Sequence, residues 1–136
     1  MAIKKVKKAK PKSVKYYDTK IWKLCRELAF KMYKTDCYTC RQSNLTGANC
    51  QLGHMWAKAS LSAHLKYDMR ILRWQCWRCN CNLGGMGAEF YARMLREKGQ
   101  EYMDALEKER QILIKADSIF YENKIKEYED KLRAFL

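Results

Sequence analysis

The stretches CYTC at Cys37–Cys40 and QCWRCN at Gln75–Asn80 decide how this chain folds. Each contains a Cys-x-x-Cys pair, Cys37/Cys40 and Cys76/Cys79, and 35 residues separate the pairs. A Cys-x-x-Cys turn holds two sulfurs about one tetrahedral edge apart. Two such turns make a closed four-cysteine site, the usual arrangement for structural Zn²⁺. Disulfides or separate buried thiols are the competing readings; the paired spacing and the intracellular character of the chain favour zinc. Of the seven cysteines, Cys25, Cys50 and Cys81 are left over. Cys25 suits an apolar helix face. Cys50 and Cys81 lie close enough in sequence to substitute as ligands or to flank the site.

Working outward, charge divides the chain in two. Residues 1–85 hold 18 Lys+Arg against 4 Asp+Glu, whereas residues 86–136 hold 10 against 11. The net +13 therefore lies entirely in the half that carries the cysteines. A solvated face would mix signs. This half is nearly free of acids, which points to a polyanion, and nucleic acid is favoured over a membrane surface because no strongly amphipathic basic helix is present. The N-terminus lacks the apolar core of a signal peptide and no run reaches membrane-spanning length, so the sequence predicts a soluble, cytoplasmic chain.

Residues 1–15 contain seven lysines, no acid and Pro11, the only proline. They read as a disordered basic arm adding sequence-independent phosphate attraction, with a nuclear-localisation tag as the alternative. From Asp18, a plausible N-cap, to Lys34 the spacing of Ile21, Leu24/Cys25, Leu28 and Met32 predicts a helix packed on the cysteine module. Gln51–Met55 and Arg70–Gln75 read as two strands, with a loop or short helix at 56–68 that leaves Lys58, His64 and Lys66 to solvent. Cys76–Leu83 reads as a helix start, re-aimed by Gly84, Gly85 and Gly87. Helices follow at Ala88–Lys98, closed by Gly99, at Gln100–Lys115, and from Asp117 or Ser118 onward. In the last, Tyr121, Ile125, Tyr128, Leu132 and Phe135 form a stripe that could fold back or pair with a second chain.

A clamp of four sulfurs is chemically closed, so any reaction belongs to groups that it positions. His54 lies between the two pairs at the end of a predicted strand, and Asn80 directly follows Cys79. An imidazole facing a carboxamide is the layout of a one-metal nuclease, in which His takes a proton from water opposite a metal that polarises phosphate. The plainer readings are a hydrogen-bonded imidazole or substitute zinc ligand for His54, and a helix-start cap for Asn80.

CYTC, then Gly53-His54, then LKYDMRILRWQCWRCNCNLGG and FYARMLREKGQEYMDAL together resemble the NinG/Rap family of phage recombination endonucleases, which belong to the zinc-containing HNH (His-Me finger) class. The likeness spans roughly residues 20–115 and is most specific in the D-x-R…QCxRCN block followed by Leu-Gly-Gly. The phage endonuclease VII family shares the Cys pairs but typically has an acid where this chain has Gly53. The resemblance implies a small α+β fold: a treble-clef zinc core with a ββα-metal finger, flanked by an N-terminal helix and C-terminal helices. It places the nuclease domain at 16–99 and a helical appendage at 100–136.

The same resemblance implies Mg²⁺-dependent (or Mn²⁺-dependent) cleavage of branched DNA such as Holliday junctions and D-loops, with His54 as general base and Asn80 holding the catalytic metal. Lys58, Arg70, Arg73 and Arg78 are candidate DNA contacts. The family's central asparagine falls at Ile71, a departure, and Asp68 is the nearest acid. A junction enzyme needs two opposed sites, so a homodimer is expected, with the Tyr121–Phe135 stripe as its candidate interface. The alternative is a zinc-dependent DNA-binding module without catalysis.

Overall fold

The computed structural model describes residues 12–136. The basic arm lies outside them except at its last residues, which start a helix. Ser13, not Asp18, is the N-cap: its Oγ accepts from the Tyr16 N–H at 3.2 Å. Helix α1 spans Val14–Met32. Asp18 sits inside its first turns and accepts instead from the Tyr67 hydroxyl at 2.6 Å.

Two short strands, β1 (Gln51–His54) and β2 (Leu72–Gln75), form the one sheet among the described residues. They are antiparallel, with Leu52 opposite Trp74 and His54 opposite Leu72. Alternation along a strand then assigns the faces. Leu52, Leu72 and Trp74 turn toward α1 and join Ile21, Cys25, Leu28 and Ala29 in one core. The Trp74 Nε1–H donates to the Ala29 carbonyl at 3.3 Å, tying helix to sheet.

Between the strands lies helix α2 (Ala63–Lys66). Asp68 then caps the single turn Met69–Ile71 by accepting from the Arg70 N–H at 2.9 Å. The predicted strand from Arg70 therefore begins two residues late, because that turn consumes Arg70 and Ile71. After β2, a short wide-turn helix spans Arg78–Asn82. Gly84 and Gly85 then take φ of 68° and 93°, left-handed values that glycine adopts without steric cost, and redirect the chain into α3 (Gly87–Lys98).

Helix α4 covers Gln100–Arg110, shorter than the predicted span to Lys115. The run Ile112-Leu113-Ile114 that follows is exposed and has no surface to pack on, so nothing offsets the entropy of extending the helix. Helix α5 spans Ser118–Arg133, and its cap Asp117 accepts from the Phe120 N–H at 2.9 Å. Phe90, Met94, Met103 and Leu106 of α3 and α4 close over Met55, Leu65 and Ile71 to form a second core. The whole is a small α+β fold, mostly helical. None of the described helices is long and apolar enough to cross a membrane.

Helix α5 folds back along α1. Tyr121 stacks on Tyr17 with ring centroids 5.0 Å apart, and the buried Tyr128 hydroxyl donates to the Tyr67 carbonyl. Tyr121, Ile125 and Tyr128 thus belong to the chain's own core, while Phe135 at its end is exposed. All of the stripe proposed as a dimer interface except Phe135 is therefore already packed into the chain's own core. Its burial predicts that Tyr128→Ala costs roughly 3 kcal/mol or more in urea unfolding, against about 1 kcal/mol for Tyr128→Phe, which leaves the Tyr67 carbonyl only the weak Cys25 Sγ donor at 3.8 Å.

Candidate metal centre and adjoining cleft

The four sulfurs of Cys37, Cys40, Cys76 and Cys79 all lie within 4.8 Å of one another, and Cys40 Sγ is 3.7 Å from Cys76 Sγ. Thiolates around Zn²⁺ at about 2.3 Å leave neighbouring sulfurs about 3.8 Å apart, close to the Cys40–Cys76 separation, so the cluster could hold such an ion. Backbone geometry builds it. The Cys40 N–H points at Cys37 Sγ at 3.5 Å, and the Cys79 N–H points at Cys76 Sγ at 3.4 Å. The left-handed φ of 68° at Arg41 turns the chain out of the first pair.

Electrostatics divide the four. Burial works to raise Cys37, but hydrogen bonds from the Thr39 hydroxyl and from backbone N–H groups outweigh it and bring the thiol down to about 6. Burial, reinforced by the neighbouring sulfurs, pushes Cys79 up to about 12. A divalent cation offsets that crowding of thiolates, which is the chemistry this donor set offers.

The remaining cysteines stand outside the cluster. Cys25 is fully buried on α1, and burial raises its thiol to about 12. Cys50 is buried and its carbonyl accepts from Arg26. Cys81 is exposed beside Gln51, at 3.0 Å from Oε1.

Beside the metal centre is a cleft of about 450 Å³. His54 and Asn80 both line it, together with Trp22, Arg26, Gln51 and Lys58. His54 leaves the α1-facing side of the hairpin and stacks on Trp22, centroids 5.2 Å apart and planes within 11°. Its Nε2 lies 2.8 Å from the Lys66 carbonyl. A carbonyl only accepts, so Nε2 carries the proton and Nδ1 keeps its lone pair. Burial holds the imidazole below its ordinary pKa, and the nearby Lys58 and Lys66 charges act the same way; the Lys66 hydrogen bond and Asp18 oppose them.

Asn80 comes from the helix that the second cysteine pair starts. Its Nδ2 donates to Gln51 Oε1 at 2.8 Å, which turns Oδ1 toward Gly53. The backbone at Gly53 leaves no room for a side chain. A Cβ there would lie 1.7 Å from Gln75 Oε1 and 3.0 Å from Asn80 Oδ1. Gln75 cannot easily yield. It is fully buried, and its Nε2 is held by the Gly85 carbonyl at 2.9 Å and the Thr39 hydroxyl at 3.1 Å. Its Oε1 is buried with no hydrogen-bond partner among the described residues.

The arginines depart from the sequence reading. Arg70 is engaged by Asp68 at 2.6 Å and by Glu109 of α4. Arg73, 7% exposed, donates to the carbonyls of Met69, Arg70 and Leu72 and lies under Tyr33 and Tyr38. Both are held by partners within the fold, and neither lines the cleft that holds His54 and Asn80. Lys58 does line the cleft, and Arg78 is exposed on the Asn80 helix. Asp68 is a cap and ion-pair partner. Ile71, where the resemblance led one to expect an asparagine, is fully buried in the second core.

His64 is half-buried rather than free. Its Nδ1 meets the Ser62 hydroxyl at 2.8 Å and its Nε2 meets the Glu109 carbonyl at 3.0 Å, pinning α4. Trp22 and Arg26 are the cleft residues that pattern reading missed. Their i, i+4 spacing on α1, continued by Phe30, was the available signal.

Comparison with family models, curated proteins and solved structures finds no match to this chain.

Two outcomes test the centre. Cys76→Ser should abolish stoichiometric zinc binding and most of the cooperative thermal transition, because the ion supplies much of the folding free energy; metal analysis and circular dichroism check it. Gly53→Ala should cost about 1–3 kcal/mol by overpacking against Gln75. A double-mutant cycle should show much of that cost relieved in a Gln75→Ala background.

Proposed function

We propose that this protein is a metal-dependent DNA endonuclease acting on branched recombination intermediates, built as a treble-clef zinc core carrying a ββα-metal finger. The observation that carries this reading is the His54 imidazole. It has a fixed tautomer and a free Nδ1, and it lies in one cleft with Asn80, whose helix starts from the four-cysteine cluster.

In this reading Nδ1 of His54 takes a proton from a water molecule as that water attacks phosphorus. The Lys66 carbonyl and the Trp22 ring hold the imidazole in place. Attack forms one P–O bond and breaks another, releasing a sugar hydroxyl and a phosphate monoester. Asn80 Oδ1 would hold Mg²⁺ or Mn²⁺, which neutralises charge developing on the phosphate and leaving oxygen. With Gly53 and Ile71 in place of polar groups, the protein offers that ion one carboxamide oxygen. Phosphate oxygens and water would complete its shell.

Lys58 at the cleft and Arg78 beside it face the strand in this reading, and the basic half supplies long-range attraction. Cutting two opposed strands calls for two copies, so a homodimer on junction DNA is part of the proposal, assembled through a surface other than the covered α5 stripe. A second reading, a zinc-dependent DNA-binding module without catalysis, is favoured by one observation: among the described residues, no carboxylate lines the cleft.

Zinc-loaded protein with Mg²⁺ should nick a labelled four-way junction, and His54→Ala should lower the rate by roughly 10²–10⁴ while binding persists. The unprotonated imidazole is the active form and burial lowers its pKa. The rate should therefore fall only as pH drops below the ordinary histidine value of about 6.5. Binding by both proteins with no nicking would leave the binding-module reading.

A further inference from the structure

Arg26 lies one helical turn beyond Trp22 on α1, and both side chains line the cleft. Its guanidinium carbon is 5.1 Å from the Trp74 ring centroid and 5.7 Å from that of Phe30. One nitrogen, Nη1, donates to the Cys50 carbonyl at 3.3 Å. Among the described residues no carboxylate pairs with Arg26, in contrast to Arg70, or with Lys58. Lys58 reaches the same cleft from the segment after β1 and sets its Nζ 5.2 Å from the Trp22 ring centroid. A guanidinium backed by two aromatic rings has its fork already oriented, and four of its five N–H groups are uncommitted. Such a group, with a lysine across an open cleft and no acid to neutralise either, is suited to a phosphate diester.

We propose that Arg26, assisted by Lys58, is a phosphate clamp: it holds a backbone phosphate of the bound DNA strand next to the one presented to His54. The clamp rests on the nuclease reading for its DNA ligand, but it is a binding function with its own readout. Helix α1, which lies outside the two-strand hairpin, thereby sets the strand's register against the imidazole. Arg26 is a substrate-positioning residue.

The test uses full-length zinc-loaded protein carrying His54→Ala, so that cleavage does not intervene, and measures junction affinity across a salt series. Adding Arg26→Met, which keeps the aliphatic stem, should weaken binding about tenfold and make the slope of log K against log salt less negative by about one. Arg26→Lys should keep the slope and lose part of the affinity, because the charge remains and the planar fork does not. An Arg26→Met protein with unchanged affinity and slope overturns the clamp.

The two readings separate. Arg26-dependent binding without nicking by the parent removes the nuclease and leaves the clamp. Nicking undiminished by Arg26→Met in the otherwise unaltered protein removes the clamp and leaves the nuclease. Should Arg26→Met lose its zinc or its fold, the Arg26 Nε–H resonance of the unaltered protein decides. It should shift on titration with a short duplex, and an unmoved signal overturns the proposal.

Discussion

Convergence of two distant Cys-x-x-Cys turns on one point is the constraint from which the rest follows. Cys37 and Cys40 end the segment leaving α1, while Cys76 and Cys79 end β2 and begin the helix that carries Asn80. Joining them closes a loop of 35 residues, and within that loop β1 must run back along β2. A two-stranded hairpin is marginal in water on its own. Here it is pinned at one end by sulfur and covered on one face by α1, so a short sheet can hold a precise register.

That register has chemical consequences on both faces. Leu52 and His54 turn toward α1, and His54 reaches the sheet's end where Trp22 can stack on it. Gly53 turns the other way, into space filled by Gln75 and Asn80. An acid at position 53 is therefore incompatible with Gln75 as it is placed, rather than merely absent. The space beside Gly53 holds instead a buried amide that ties Gly85 and Thr39 to the sheet.

The basic residues sort by what surrounds them, not by where they fall in the chain. Arg70 and Arg73 sit just before the second cysteine pair yet are spent on carboxylates, carbonyls and tyrosine rings. Arg26, inside an apolar helix pattern, keeps most of its donors for the cleft. A guanidinium is available to a ligand only when nothing in the fold has already satisfied it.

The sequence by itself determined the four-cysteine cluster, the order and approximate span of the main elements and the location of net charge. Each of these is written in local spacing or composition. It also singled out His54 and Asn80, since both are tethered closely to the cysteine pairs. What only the tertiary structure decided were contacts across long separations: the Lys66 carbonyl that fixes the His54 tautomer, the Trp22 ring against it, Gln75 in the space beside Gly53, and α5 covering its stripe with α1. No local pattern encodes them. A side chain's partner there depends on how separate segments pack, and packing is settled by the shape and burial of the whole core rather than by any periodicity along the chain.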